Sequence, residues 1–347
     1  MTPTLQVRET RAAIDLVHLY DADRGFRVVS RQHRFWAEDR EGHVLWRGAF
    51  PTRVTDLAGS VRLARRFGRL DQCTLTPLGD QWIAIRNGAV HRFDPATGKL
   101  ERIGALRQCR VPLQLYAGDD VILFGEYGSN PERRSVPLWR IVPGGAPEIV
   151  YAFEPGRARH IHGVFRDPFS GRFWICSGDF EHESWLVNAD ADFRDVEVVG
   201  DGSQMYRAVT MFFFEDRIVW LTDSQFVQNH VMTMDRRTGS VTQGAPIPSP
   251  AWFGRAFRDG LLLAGCAWEH GAGCLRDGAT LLASRDGDAW HEVAFWKKDR
   301  WPAPWFRDGV IRFAPGPQDA GDFVLCGEGL VELDGRMLRC SLSGSAT

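Results

Sequence analysis

The sequence lacks the features that mark membrane proteins and nucleic-acid-binding proteins. It contains no run of about 18 apolar residues, the length that a transmembrane helix needs. Its formal net charge is −2 at pH 7, so no strong field attracts nucleic acid or an anionic membrane surface. Residues 1–20 lack the charged and then apolar pattern of a secretory signal. We therefore expect neither a nucleic-acid partner nor a membrane partner.

Several catalytic and nucleotide-binding motifs are also missing. There is no glycine-rich phosphate loop, no His-Glu-x-x-His and no paired Cys-x-x-Cys motif. Gly-x-Ser-x-Gly is absent, so the nucleophile elbow of a serine hydrolase is not supported. We expect no cofactor, with a divalent metal ion as the one alternative that the histidines raise.

The seven cysteines are odd in number and scattered along the chain. Cys176 and Cys326 lie inside apolar strand patterns, FWICSG and FVLCGE. This placement indicates buried, reduced thiols rather than a disulfide framework, which favours a cytoplasmic location.

Short strands and turns recur along the chain. Tyrosine is scarce, with five residues, but 13 Trp, 22 Phe, 36 Gly and 18 Pro are typical of aromatic-rich strands joined by many turns. The turn form Asp-x-x-Ser/Thr-Gly occurs at Asp94–Gly98, Asp167–Gly171 and Asp235–Gly239. Strand couplets are separated by about 45 residues, except for a longer last gap, and end at Glu126, Asp179, Asp223, Gly265 and Glu328.

A period of this length, built from short strands, predicts an all-β fold of the β-propeller type. The chain has room for seven blades, with six as the alternative, and we expect a single domain over residues 1–347. Residues 1–25 are expected to form a lead-in or a strand that closes the last blade. Most Trp residues should fill the space between blades. Trp296, Trp301 and Trp305 lie in a Pro- and Lys-rich segment that is expected to be a loop.

One short segment resembles a known repeat. Ser284-Arg-Asp-Gly-Asp-Ala-Trp290 resembles the Asp box, the Ser-x-Asp-x-Gly-x-Thr-Trp hairpin of sialidase-like propellers, but is one residue shorter. The segments Gly125–Asn130 and Gly202–Ala208 strengthen the likeness to the BNR/Asp-box superfamily and its bacterial glycosyl-hydrolase-like branch. The resemblance implies a propeller and a carbohydrate ligand. The Phe/Tyr-Arg-Ile-Pro motif of true sialidases is missing, so sialidase activity is not expected.

Polar residues fall at the ends of the expected strands, where propellers bind their ligands. His160 and His162 project from one strand face, and Arg207 follows His162 by 45 residues, one repeat unit. Glu126, His162 and Asp179 are the candidate catalytic residues, with the two carboxylates as acid and base on a glycosidic bond. The candidate substrate-binding residues are Asn130, Arg133, His160, Gln204, Tyr206, Arg207, Asp223, Asn229 and Glu269.

These residues leave three functions open. The first is a glycosidase-like enzyme acting on a bacterial glycan, with an acidic glycan as one option, whose carboxylate an arginine would bind in a two-pronged contact. The second is a propeller that binds a glycan or a protein without turnover. The third is a metal-dependent lyase or lactonase in which His160 and His162 bind a metal ion with Asp179 or Gln204.

Overall fold

The protein is described by a computed structural model that covers residues 3–343, apart from the side chain of Ala58. These residues form seven four-stranded, mostly antiparallel sheets, and the chain is a seven-bladed β-propeller. The predicted all-β propeller with seven blades is confirmed, and the alternative of six blades is wrong. No helix in the described range is both long and apolar enough to cross a membrane.

The strands follow one another in chain order after an N-terminal strand, β1 (Thr4–Ala12). Blade 1 consists of β2 (Leu16–Asp21), β3 (Phe26–Arg31), β4 (Arg34–Glu38) and β5 (Val44–Ala49). A 3-10 helix (Val54–Ser60) and helix α1 (Arg62–Gly68) follow it. Blade 2 consists of β6 (Thr74–Leu78), β7 (Gln81–Arg86), β8 (Ala89–Asp94) and β9 (Lys99–Ala105).

The next three blades have the same order. Blade 3 consists of β10 (Leu115–Ala117), β11 (Ile122–Gly125), β12 (Val136–Ile141) and β13 (Glu148–Phe153). Blade 4 consists of β14 (His160–Arg166), β15 (Phe173–Gly178), β16 (Ser184–Ala189) and β17 (Val196–Gly202). After a 3-10 turn at Gln204–Tyr206, blade 5 consists of β18 (Ala208–Phe213), β19 (Arg217–Thr222), β20 (Asn229–Asp235) and β21 (Val241–Ile247).

The last two blades lie near the C-terminus. Blade 6 consists of β22 (Ala251–Ala256), β23 (Leu262–Cys266), β24 (Gly278–Ser284) and β25 (His291–Lys297). Helix α2 (Ala303–Phe306) comes next, and blade 7 contains β26 (Val310–Phe313), β27 (Phe323–Glu328) and β28 (Arg336–Ser343). Its fourth strand is β1, which pairs with β28 from Thr4↔Ser343 onwards. Within the segment 1–25, residues 4–12 are thus a closing strand, one of the two predicted roles, whereas residues 16–21 form the first strand of blade 1.

Contacts divide the chain into two compact units. The first unit contains the residues up to Asp71, Gln225–Asn229 and the residues from Ala245 onwards, and so holds blades 1, 6 and 7. The second unit contains Gln72–Ser224 and His230–Gly244, which are blades 2, 3 and 4 and most of blade 5.

The first unit buries apolar side chains between neighbouring sheets. Leu281 of β24, Ile311 of β26 and Phe323 of β27 share one core cluster. Of the three Trp residues expected on a loop, Trp296 instead lies in β25, because its segment pairs with β24, where Trp296 lies opposite Ala279. Trp301 follows that strand, and Trp305 lies on α2 with 65% of its surface exposed.

The second unit uses Trp and Phe in the same way. Phe153, Phe173 and Trp185 lie in the cluster between blades 3 and 4. Trp174 and Trp220 lie in the cluster between blades 4 and 5. Each fully buried large apolar side chain contributes about 1.5–3 kcal/mol to folding. The prediction of an inter-blade aromatic core is therefore confirmed for this unit.

All seven cysteines are free thiols, and six of them are buried.

The repeated turn form owes its shape to its aspartate and glycine. The carboxylates of Asp94, Asp167 and Asp235 accept hydrogen bonds from the Thr or Ser hydroxyl three residues later, at 2.7, 2.6 and 2.9 Å. The closing glycines have φ between +70° and +73°, which a residue without Cβ adopts at little cost. The sequence motif therefore sets the turn between successive strands in three blades.

Candidate functional site

A β-bulge in blade 4 orients two histidines toward each other. In β14, the pairing with β15 shifts between Ile161 and Gly163, so His162 is the extra residue of the bulge. His160 and His162 lie two apart on the strand, and their Nε2 atoms approach to 3.1 Å. Both side chains are buried, with 3% and 1% of their surface exposed.

Asp179 completes a compact group, here called the His–Asp cluster (His160, His162 and Asp179). It follows the end of β15, and its Oδ1 lies 3.0 Å from each histidine Nε2. The three atoms therefore form a nearly equilateral triangle, which could hold a metal ion. The other carboxylate oxygen, Oδ2, accepts a hydrogen bond of 2.7 Å from Arg159 Nη1.

Backbone carbonyls bind the far side of both imidazole rings. His160 Nδ1 is 2.8 Å from the carbonyl oxygen of Gly128, and His162 Nδ1 is 3.0 Å from that of Ala208. A carbonyl oxygen only accepts, so each Nδ1 carries the hydrogen and donates it. Both rings are thereby fixed with Nε2 directed at Asp179.

Arg207 and Asp223 adjoin the cluster within the second unit. Arg207 Nε lies 3.3 Å from Asp223 Oδ2, its Nη1 donates to the Asp179 carbonyl at 2.9 Å, and its Nη2 is 3.4 Å from Asp179 Oδ1. Gln204 donates to the same carbonyl at 3.0 Å and accepts a hydrogen bond from the Ser224 hydroxyl at 2.6 Å. Arg207, Asp223 and Gln204 therefore lie beside the His–Asp cluster, and their substrate-binding roles stay predictions.

Burial and neighbouring charges shift the pKa values of Asp179 and Asp223 in opposite directions. Burial alone would raise the pKa of Asp179, but the two imidazole rings, His160 foremost, and Arg207 hold this pKa well below its usual value. Burial raises the pKa of Asp223 to about 7, although Arg207 opposes the shift. Burial also lowers the pKa of His162, against the effect of Asp179, so its neutral imidazole is favoured.

Aromatic and basic side chains form the more exposed side of the site, here called the rim (Tyr127, Arg133, Arg159 and Phe180). The Tyr127 ring lies 4.2 Å from the His160 ring. Phe180 directly follows Asp179 and is 38% exposed, with the guanidinium groups of Arg133 and Arg159 lying 5.2 and 5.6 Å from its ring centroid. Arg133 is also paired with Glu183 at 2.6 Å.

Glu126 has contacts that differ from those expected of a general acid. Its carboxylate accepts hydrogen bonds from the backbone N–H groups of Arg107 and Gln108, at 2.7 and 2.6 Å, and from the indole of Trp139 at 3.0 Å. It is 2% exposed. These bonds brace the segment before blade 3, and a catalytic role for Glu126 stays a prediction.

Other predicted substrate-binding residues have local structural contacts. Asn130 is buried and exchanges hydrogen bonds with the backbone of Arg134, donating at 2.8 Å and accepting at 3.0 Å. The Tyr206 ring packs against Trp220 with centroids 6.1 Å apart. Asn229 and Glu269 are buried residues of the first unit, and Asn229 donates to the Gly273 carbonyl at 3.0 Å.

The segment that resembles an Asp box forms the hairpin between β24 and β25. Asp286 Oδ1 accepts hydrogen bonds from the Ser284 hydroxyl at 3.1 Å and from the backbone of Asp288 and Ala289 at 2.9 Å each. The indole of Trp290 donates to the Gly287 carbonyl at 2.8 Å. These bonds brace the hairpin, and the BNR/Asp-box family itself stays a prediction.

Comparison with known proteins supports the fold and no more. No protein-family model and no curated protein matches the chain. The chain is similar to the solved N-terminal domain of Nup159, with 6% identity and a TM-score of 0.56, over 99% of this chain and 96% of that one. It is also similar to a chain in a structure of S. cerevisiae Dbp5 bound to Nup159, Gle1, IP6 and ADP, with 6% identity, a TM-score of 0.55 and the same coverage.

Sequence reasoning missed the rim residues Arg159 and Phe180. A local signal was present, because Arg159 precedes His160 and Phe180 follows Asp179 in the chain. Together with the cluster, the rim offers three converging metal-ligand atoms beside guanidinium groups and an exposed aromatic ring. The arrangement can hold a cation at its centre and an anionic or sugar-like ligand at its edge.

Proposed function

We propose that this propeller recognises an acidic carbohydrate at the rim and acts on it at the His–Asp cluster. The observation that carries the proposal is the exposed Phe180 ring, which has two guanidinium groups 5.2 and 5.6 Å from its centroid and directly follows Asp179 in the chain. An aromatic face packs against the apolar face of a sugar ring, and arginine binds carboxylates in a two-pronged contact. The resemblance to carbohydrate-active propellers supports the same ligand class.

The contacts of the carboxylates argue against an acid–base pair of Glu126 and Asp179. Glu126 is bound by two backbone N–H groups and an indole, and Asp179 by two imidazoles and Arg159. Proton transfer by the pair would require both to give up these partners. Recognition without turnover therefore remains the second candidate function, and the same rim would serve it.

Binding of paired oligosaccharides tests the proposal. We expect oligomers of glucuronic acid to bind in calorimetry and neutral glucose oligomers of the same length to bind at least tenfold more weakly. Phe180→Ala should weaken glucuronate binding about 2- to 10-fold, the range of one lost aromatic contact. Arg159→Gln should weaken it about 10- to 100-fold, through loss of a charge-assisted bond.

Arg276→Gln is the matched control, because Arg276 pairs with Glu292 at 2.9 Å and lies 4.5 Å from the Phe295 ring centroid in the first unit. It should bind glucuronate oligomers like the unaltered protein. Equal affinity for acidic and neutral oligomers, or unchanged binding by both rim variants, would remove the proposal. Product release in the same samples separates an enzyme from a binding protein.

A further inference from the structure

We propose that His160, His162 and Asp179 bind one divalent first-row transition-metal ion through two Nε2 atoms and one Oδ1 atom. This inference concerns the cluster alone and needs no carbohydrate ligand. It rests on three observations: the spacing of the three atoms, the fixed tautomers of the rings and the outer contacts.

The spacing of the three atoms fits a metal ion. Their separations are 3.1, 3.0 and 3.0 Å. Ligand atoms at about 2.0–2.1 Å from zinc in tetrahedral geometry lie roughly 3.3 Å apart. A point about 2 Å from all three atoms therefore exists, about 1 Å out of their plane, and the triangle needs little expansion to bind an ion there.

The hydrogen positions make the triangle a set of three acceptors. Each Nδ1 donates to a backbone carbonyl, so a neutral ring directs the lone pair of Nε2 inward. The third atom is a carboxylate oxygen, which also only accepts when ionised. Three lone pairs about 3 Å apart repel one another unless a cation lies among them. One added proton satisfies a single pair of these atoms, whereas one metal ion satisfies all three.

The outer contacts are those that metal ligands commonly have. A ligating histidine usually donates its other N–H to a carbonyl or carboxylate, which fixes the ring. Gly128 and Ala208 provide this carbonyl for the two histidines, and Arg159 holds the free oxygen of Asp179. Arg207 adds a positive charge 3.4 Å from Oδ1, and its Nε lies 3.3 Å from Asp223 Oδ2.

The donor set indicates the kind of ion and its use. Two imidazole nitrogens and one carboxylate oxygen suit Zn²⁺, Co²⁺, Mn²⁺ or Fe²⁺ better than Ca²⁺, which prefers oxygen ligands. Three protein ligands leave a coordination position for water or substrate, as in catalytic rather than structural zinc sites. Asp179, 13% exposed, and the half-buried Arg159 lie on the side from which a ligand could approach.

Metal titration of protein without a polyhistidine tag tests the proposal. After EDTA treatment and dialysis, the chain should bind one equivalent of Zn²⁺ in calorimetry, and Co²⁺ should give the visible absorption of a coordinated ion. His160→Ala and Asp179→Asn should each weaken Zn²⁺ binding at least about 100-fold, since outer-contact changes alone cost about 10- to 100-fold. Circular dichroism and melting curves establish that each variant is folded.

The control removes a second, exposed group of potential ligands, Asp39, Glu41 and His43. His43→Ala should leave the stoichiometry and affinity unchanged. The proposal is overturned if folded, EDTA-treated protein binds no Zn²⁺ at micromolar concentrations, if His160→Ala binds normally, or if His43→Ala loses the ion. Because no sugar is present, failure here is distinct from failure of the carbohydrate proposal. The Co²⁺ spectrum of the unaltered protein keeps the test decisive even if a cluster variant unfolds.

Discussion

Gly178 leaves the space that the His162 imidazole fills. A Cβ atom added to Gly178 would lie 2.4 Å from Cε1 and 2.8 Å from Nε2 of that ring. Atoms do not approach so closely, so any larger residue at position 178 must displace the ring. The glycine that ends β15 is thus a requirement of the cluster.

Gly178→Ala should therefore weaken Zn²⁺ binding. We expect a loss of about 10- to 100-fold, the usual effect of disturbing a ligand's orientation without removing it. Calorimetry with Zn²⁺ measures the change. Gly244→Ala is the control, because its Cβ would lie 3.2 Å from the nearest atom, the Val231 carbonyl oxygen. Equal affinity in the two variants would show that the ring does not need this space.

Glu126→Gln should reduce stability rather than ligand binding. An amide presents one oxygen and one NH₂ group, so an N–H donor of Arg107, Gln108 or Trp139 would lose its acceptor. We expect the free energy of unfolding to fall by about 2 kcal/mol in urea titrations. Glu132→Gln, at an exposed glutamate, should have no such effect. Lost turnover with unchanged stability would instead support Glu126 as a catalytic residue.

Asp167→Ala should destabilise the protein more than the same change in an equivalent turn. Asp167 is buried and accepts two hydrogen bonds from Arg236, at 2.6 and 2.9 Å, so its removal leaves that guanidinium without a counter-charge. The expected loss in free energy of unfolding is about 2–4 kcal/mol. Asp94→Ala removes only local turn bonds and should cost about 1 kcal/mol. Equal losses in urea titrations would show that the Arg236 contact contributes nothing.

Lowering the pH should reduce the free energy of unfolding, because the buried His18 resists protonation in the folded state. Burial and, to a smaller extent, the charge of Arg312 lower the pKa of His18 to about 3, whereas an unfolded histidine titrates near 6.5. Between these values the unfolded state binds the additional proton, so stability that is present above pH 6.5 is lost as the pH falls. The contribution amounts to about 2 kcal/mol between pH 7.5 and pH 5.

His18→Asn should remove that part of the pH dependence while retaining a hydrogen-bonding group near the Ser30 hydroxyl, which lies 2.8 Å from His18 Nε2. Urea midpoints of both proteins between pH 7.5 and pH 5 provide the measurement. If the two curves fall in parallel, His18 is not the group responsible.

The sequence alone determined the repeating architecture and some local geometry. Its period and its Asp-x-x-Ser/Thr-Gly turns predict a propeller, because strand and turn preferences depend on neighbours a few residues away. The alternation of side chains along a strand also places His160 and His162 on one face. The sequence pattern could not show the bulge in β14, which brings the Nε2 atoms of the two histidines within 3.1 Å of each other.

Only the tertiary structure decided which groups surround that pair. The carbonyls that fix the rings belong to Gly128 and Ala208, which lie 32 and 46 residues from the histidines they bind. A local sequence pattern likewise could not predict the hydrogen bonds that the backbone N–H groups of Arg107 and Gln108 donate to the Glu126 carboxylate. Hydrogen bonds between distant segments depend on how the sheets pack, and a periodic pattern does not encode that packing. The sequence therefore supplied the histidines and the aspartate, and the packing of blades 3, 4 and 5 made them a cluster.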